Sequence, residues 1–79
     1  MTEEIAAKAY LLVKKIKETQ YKIDILNRNI PIYITYNFSN SEENISINND
    51  DSAIDDIKAY TLKRLEEKLQ ALKEILKNL

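Results

Sequence analysis

The sequence contains no cysteine, histidine, glycine or tryptophan, and it has a single proline. The lack of cysteine excludes disulfides, and the lack of histidine removes the other common ligand of structural zinc. A chain of 79 residues buries only about 60% of the surface that its unfolded form exposes. Small folds without cross-links depend on very regular packing or on self-association. We therefore expect one domain, residues 1–79, completed by regular helix packing or by further copies of the chain.

A strong charge of one sign is also missing, because 12 basic and 13 acidic residues leave a net charge of −1. This balance argues against a nucleic-acid-binding protein, which needs a basic surface. No run approaches the roughly 18 apolar residues that span a bilayer, and no signal-peptide core follows the acidic start Met1–Glu4. We expect a cytoplasmic protein without nucleic-acid or membrane partners. The many isoleucines, asparagines and lysines are typical of AT-rich coding, as in low-GC bacteria, their phages and mobile elements. If the protein is encoded by a phage, the expected location is the host cell cytoplasm.

Two segments carry apolar residues at the heptad period of coiled coils. The first series is Ile5, Ala9, Leu12, Ile16, Thr19, Ile23 and Leu26, and the second is Leu62, Leu65, Leu69, Leu72, Leu76 and Leu79. We predict helices over about 3–28 and 52–78. Thr2 is expected to cap the first helix, and Ser52 with Asp55 is expected to form a capping box at the start of the second.

The segment between the helices alternates apolar and polar residues with the period of two that is typical of strands. We predict a β-hairpin with strands at about 30–38 and 44–48. The predicted opposite pairs are Phe38 with Ile45 and Tyr36 with Ile47. An isolated hairpin is marginal in water, so its apolar face is expected to pack against a helix or another chain. Ile54 and Ile57 fall outside the second heptad series and are expected to face the hairpin.

These elements predict an α+β fold of order α-β-β-α, in which a hairpin joins two long antiparallel heptad helices. Two arrangements stay open: the seams pack on each other within one chain, or at least one seam contacts another copy. The two can also hold together, as in a four-helix bundle made from two chains. Behind the first seam lies a further apolar set, Ala7, Tyr10, Leu11, Tyr21 and Ile25. A strand of eight residues spans about 27 Å and the helix about 40 Å, so the hairpin is expected to cover only part of this set. This favours a homo-oligomer.

Catalytic and metal-binding patterns are not recognisable in the sequence. Without histidine or cysteine, the serines and threonines have no evident activating base. The acidic run at 48–56 lacks the central glycine and terminal glutamate of an EF-hand calcium loop, so we interpret it as helix capping. We predict no enzymatic activity, no metal and no cofactor.

Exposed aromatic and basic residues are the candidates for binding. Tyr60 and Arg64 lie one turn apart on the outer side of the second helix, where they can stack on a base or anchor a protein partner. Tyr33 and Thr35 lie on the hairpin face opposite the isoleucines, where they can line a ligand groove in an oligomer.

The end of the first helix offers a second set of candidates. Lys22 and Arg28 suit the helix dipole and the C-cap and, together with Tyr21, can hold a small anionic ligand at the hairpin root. The sequence thus predicts a non-enzymatic oligomeric interaction module, for example a small phage or mobile-element protein that binds and inhibits a host protein. The alternative is an oligomer that binds or sequesters a small nucleotide signal in pockets between protomers.

Overall fold

The computed structural model of the protein describes residues 2–28 and 30–79. Helix α1 (Glu3–Leu26) is followed by strands β1 (Ile34–Asn37) and β2 (Asn44–Ile47) and by helix α2 (Ser52–Lys77). The predicted α-β-β-α order of an α+β fold is confirmed. The molecule is elongated, at 50 × 32 × 16 Å with a radius of gyration of 17.1 Å, whereas a compact chain of this length has about 12 Å.

The two heptad seams pack against each other within the chain. All seven seam residues of α1 are buried or half-buried, and the same is true of the α2 seam from Leu62 to Leu76. The helices run antiparallel, because Lys8 and Leu12 near the start of α1 share a groove with Ile75 and Leu79 at the end of α2. The structure thus has the intrachain pairing that the sequence left open, and contact of a seam with another copy stays a prediction. The last predicted seam residue, Leu79, lies beyond the end of α2 and is exposed.

Threonine hydroxyls on the inner sides of both helices are satisfied by their own helix. Thr19, in the α1 seam, is only 3% exposed, and its Oγ1 donates to the Lys15 carbonyl at 2.8 Å. Thr61 Oγ1 donates in the same way to the Ile57 carbonyl at 2.8 Å. This bond to the preceding turn lets a polar residue occupy a packed position without a partner on the opposite helix.

Caps were predicted for three helix ends, and one of the three predictions is confirmed. Thr2 caps α1 as predicted, and its Oγ1 accepts from the Ile5 amide at 3.2 Å. The predicted Ser52–Asp55 capping box is wrong, because Asp51 is the N-cap of α2 and Ser52 is already helical. The Asp51 carboxylate accepts from the Ala53 amide at 2.9 Å.

Helix α1 ends two residues earlier than the predicted range of 3–28. Its C-cap is Asn27, whose amide bonds to the Ile23 and Ile25 carbonyls. Arg28 therefore lies past the cap, and Lys22 lies before the last turn, which contains no basic residue. The prediction that these two cations cap the helix is wrong.

The hairpin register differs from the prediction by two residues. Tyr36 lies opposite Ile45 and Ile34 lies opposite Ile47, so the predicted pairs of Phe38 with Ile45 and Tyr36 with Ile47 are wrong. A shift of two keeps every side chain on its original face, and the isoleucines still share one face with Tyr36. Phe38 belongs to the turn instead, and its carbonyl accepts from the Ser41 amide at 3.3 Å.

The turn is built without glycine around Asn40, which has a φ of 60°. Asparagine tolerates this left-handed region better than most residues because its short polar side chain bonds locally. The turn covers residues 38–43, and each strand has four residues: β1 begins four residues later than predicted and β2 ends one residue earlier. The observed strands therefore lie inside the predicted ranges of 30–38 and 44–48.

The base of the hairpin packs on the start of α2. Ile54 is 2% exposed and lies in a cleft with Ile30, Ile32 and Asn49, which agrees with the prediction that it faces away from the seam. Strand residues near this base are half-buried, while those nearer the turn are exposed. The hairpin is thus anchored at one end only.

The apolar set on the outer side of α1 stays uncovered. Ala7, Tyr10, Leu11, Tyr21 and Ile25 are all exposed. The prediction that the hairpin covers part of this set is wrong, because the hairpin is anchored at the start of α2 instead. An apolar helix side is left open to solvent.

The contrast between anchored and uncovered isoleucines can be tested within α2. Ile54→Ala should lower the free energy of unfolding by about 2–4 kcal/mol, because it leaves a cavity at a buried position. Ile75→Ala is the matched control, since Ile75 is 53% exposed and its loss should cost less than about 1 kcal/mol. Urea denaturation followed by circular dichroism measures both, and equal costs would contradict the packing described here.

Candidate functional site

Tyr60 and Arg64 lie together in an open groove on α2. The groove is lined by Tyr60, Thr61, Arg64, Leu65, Glu67 and Lys68. The half-buried Thr61 and Leu65 form its inner side, and the exposed side chains stand around it. All of the lining residues belong to one helix, and helix geometry alone makes them neighbours, because residues three and four apart are adjacent on a helix surface.

The groove carries two cations and one carboxylate. Arg64 Nη1 lies 3.5 Å from Glu67 Oε2, and both side chains are more than half exposed. An exposed pair of this kind contributes little to stability, so Arg64 remains available to another acceptor. Its planar guanidinium suits a carboxylate or phosphate, and the Tyr60 ring offers a face for a planar group. Such a groove can hold a small anion that carries a ring.

The other predicted binding residues lie outside this groove. Tyr21, Lys22 and Arg28 are exposed at the far end of α1 and just beyond it. Tyr33 is exposed directly before β1. Thr35 lies within β1, and its hydroxyl is 3.0 Å from that of Ser46 on β2. This cross-strand hydrogen bond gives Thr35 a structural role in the hairpin.

Lys68 also lines the groove, although it was not among the predicted binding residues. Tyr60, Arg64 and Lys68 follow each other at intervals of four residues, which places them in one row along a helix. This spacing was the available signal. The row supplies an aromatic ring and two cations on one side of α2.

The exposed apolar face of the hairpin is the other candidate surface. Tyr36, Phe38 and Ile45 are each about half exposed, and Tyr36 and Ile45 are directly opposite each other. No charged residue occurs in either strand. The sheet therefore presents neutral apolar side chains and two strand edges.

The described part of the chain comprises residues 2–28 and 30–79. Within these residues no three His, Cys, Asp or Glu side chains come together as metal ligands would. Neither helix has an apolar stretch that could cross a bilayer in the same part of the chain. No protein-family model matches the sequence, and no curated protein or solved structure is significantly similar to it.

Proposed function

We propose that the protein is a non-enzymatic interaction module that works as a homo-oligomer and binds a protein partner. The observation that carries this proposal is its large accessible surface of 6673 Å². A compact monomer of 9.2 kDa exposes about 4,900 Å², so the excess is roughly 1,700 Å². A standard protein interface removes about 800 Å² from each side. The excess is enough for two such interfaces, one with a copy and one with a partner.

The chemical nature of the exposed surface supports the same proposal. Among the described residues, Ile23, Ile54 and Leu69 are the buried apolar side chains, and none of the large side chains is fully buried. Many large apolar side chains are exposed instead, and most of them lie on the outer side of α1 or on the hairpin. Contiguous exposed apolar patches on soluble proteins mark interaction sites.

The hairpin is the surface that we assign to the protein partner. Natural sheets protect their edges with charged residues, prolines or bulges, and β1 and β2 contain no charged residue or proline. A partner with an extended apolar segment can add a strand to such an edge and cover Tyr36 and Ile45. In a phage or mobile element the partner would be a host protein, and strand addition would inhibit it.

Self-association is tested by light scattering at micromolar concentration. We expect a mass of at least twice the 9.2 kDa chain, because an assembly removes the excess apolar surface from water. A concentration series with sedimentation velocity gives the stoichiometry. A stable monomer across the series would refute the oligomeric part of the proposal.

Partner binding is tested by affinity capture from a bacterial lysate with variants on the two hairpin faces. Ile45→Asp places a charge on the apolar face and should abolish capture of the host protein that the wild-type chain retains. Asn44→Asp is the matched control, because Asn44 is the preceding residue of β2 and points to the opposite face. Capture should survive in this control, and purified components should reproduce the difference. Equal binding by both variants would refute the assignment.

The groove at Tyr60 and Arg64 supports a second candidate function, the binding of a small nucleotide. Its ring and cations are the chemistry that a base and a phosphate require. A ligand at 100 times its Kd stabilises the folded state by about 2.7 kcal/mol. For a small domain this raises Tm by about 10 °C or more.

The nucleotide candidate is tested by thermal shift over a panel of mono-, di- and cyclic nucleotides. One class should raise Tm, and Arg64→Gln should remove the effect, whereas Lys63→Gln on the neighbouring surface of α2 should retain it. A flat response over the whole panel would refute this candidate and leave the protein-binding proposal unaffected.

A further inference from the structure

Helix α1 carries a second heptad series on the side opposite its seam. This outer stripe consists of Ala7, Leu11, Lys14, Glu18, Tyr21 and Ile25, with the spacing 4-3-4-3-4. All six residues are exposed, and Leu11 and Tyr21 are 54% and 61% exposed. The inner seam is used by α2. Leu11 of the outer stripe also lines a groove with Ile75 and Leu79, but all six stripe residues remain exposed and open to a further helix.

The outer stripe is complementary to itself when two copies run antiparallel. With the two-fold axis midway between Lys14 and Glu18, Lys14 of each copy lies opposite Glu18 of the other. In the same register Leu11 lies opposite Tyr21, and the small Ala7 lies opposite the larger Ile25. Antiparallel helix pairs place the first and fourth heptad positions opposite each other in this manner, and a two-fold pair satisfies every contact twice.

Other pairings of the stripe are less favourable. A parallel pair places Lys14 beside Lys14 and Glu18 beside Glu18 on the contact line between the helices, where like charges are screened less than at the solvent-exposed flanks. An antiparallel pair shifted by one heptad places Leu11 opposite Lys14 and Ala7 opposite Glu18, and leaves Ile25 without a partner. The charges therefore select one orientation and one register.

The residues on the two flanks of the stripe include some that favour this pairing and some that oppose it. On one flank Tyr10 lies near Asp24 of the second copy, which covers an exposed ring and lets its hydroxyl approach a carboxylate, while Lys17 lies near Lys17 of the second copy. On the other flank Lys8, Lys15 and Lys22 of the two copies face each other. Lysine stems lie along apolar surface while their ammonium groups stay in water, and solvent and salt screen the repulsion.

We propose that α1 pairs antiparallel with α1 of a second copy through the outer stripe, about a two-fold axis between Lys14 and Glu18. This inference rests on the proposed self-association and names the surface that produces it. The stripe from Ala7 to Ile25 is about 27 Å long. Pairing along this stripe would remove part of the roughly 1,700 Å² of accessible surface by which the chain exceeds a compact monomer of its mass.

Charge reversal tests the register. Lys14→Glu and Glu18→Lys should each raise the Kd of the dimer about tenfold or more, because each places like charges opposite one another. The double variant Lys14→Glu/Glu18→Lys should return the Kd to near the wild-type value. Lys63→Glu and Glu74→Lys, at exposed positions of α2, are matched controls and should leave it unchanged.

A mixture of the two single variants provides an independent readout. Chains with Lys14→Glu and chains with Glu18→Lys should form a heterodimer that is tighter than either homodimer, since all opposite pairs then attract. This holds even if each single variant is too weakly paired to fold alone. An unchanged Kd in the single variants, or no preference for the heterodimer, would overturn the proposal.

Cross-linking tests the orientation of the two helices. The chain has no native cysteine, so the introduced cysteines are the only thiols that can react. Leu11→Cys and Tyr21→Cys chains should cross-link through a short thiol-reactive linker when they are mixed. Cross-linking of Leu11→Cys with itself would show a parallel pair and overturn the proposal. A monomeric wild-type chain would refute self-association altogether, whereas an oligomer that ignores these variants would refute only this surface.

Discussion

Two amphipathic helices that meet along one seam can bury one side each, and this limit governs the rest of the structure. The seams of α1 and α2 are in contact along their length, yet the other sides of both helices face solvent. Larger domains cover such surfaces with a further layer of helices or sheet. Here the only further element among the described residues is a hairpin with four-residue strands, and its base packs on Ile54. The large exposed apolar surface is a direct consequence of this one-seam architecture.

The same limit explains which parts of the fold were predictable from the sequence. The heptad series predicts both the existence of the helices and the sides that they bury, because residues at a period of 3.5 lie along one side of a helix. The hairpin register was not predictable to the same degree. Alternation defines the face of each residue, but a shift of two residues leaves every face unchanged. The turn sets the register. Its Asn40 has a positive φ, and such a residue is hard to recognise in a sequence that contains no glycine.

For the candidate site as well, neighbours within one helix were predictable from the sequence, whereas neighbours from different elements were not. Tyr60 and Arg64 were predicted as neighbours because helix geometry alone places residues four apart together, and Lys68 follows by the same rule. A site that joined Tyr21 and Arg28 to the hairpin root required the unknown path of the chain after α1. At the start of α2, two adjacent residues are both good caps, and only the backbone conformation distinguishes Asp51 from Ser52.

The proposed antiparallel pairing of α1 would determine where the two hairpins of a dimer lie. The hairpin leaves the helix pair at the end where α1 finishes and α2 begins. An antiparallel two-fold dimer through the outer stripe places this end of one copy beside the opposite end of the other. The two hairpins then lie at the two ends of the assembly, where neither blocks the other. A dimer of this shape presents two identical partner surfaces, and a target with two accessible strands would be bound with an avidity above that of a single hairpin. Self-association would thus remove apolar surface from one side of α1 and also double the number of surfaces available to a partner.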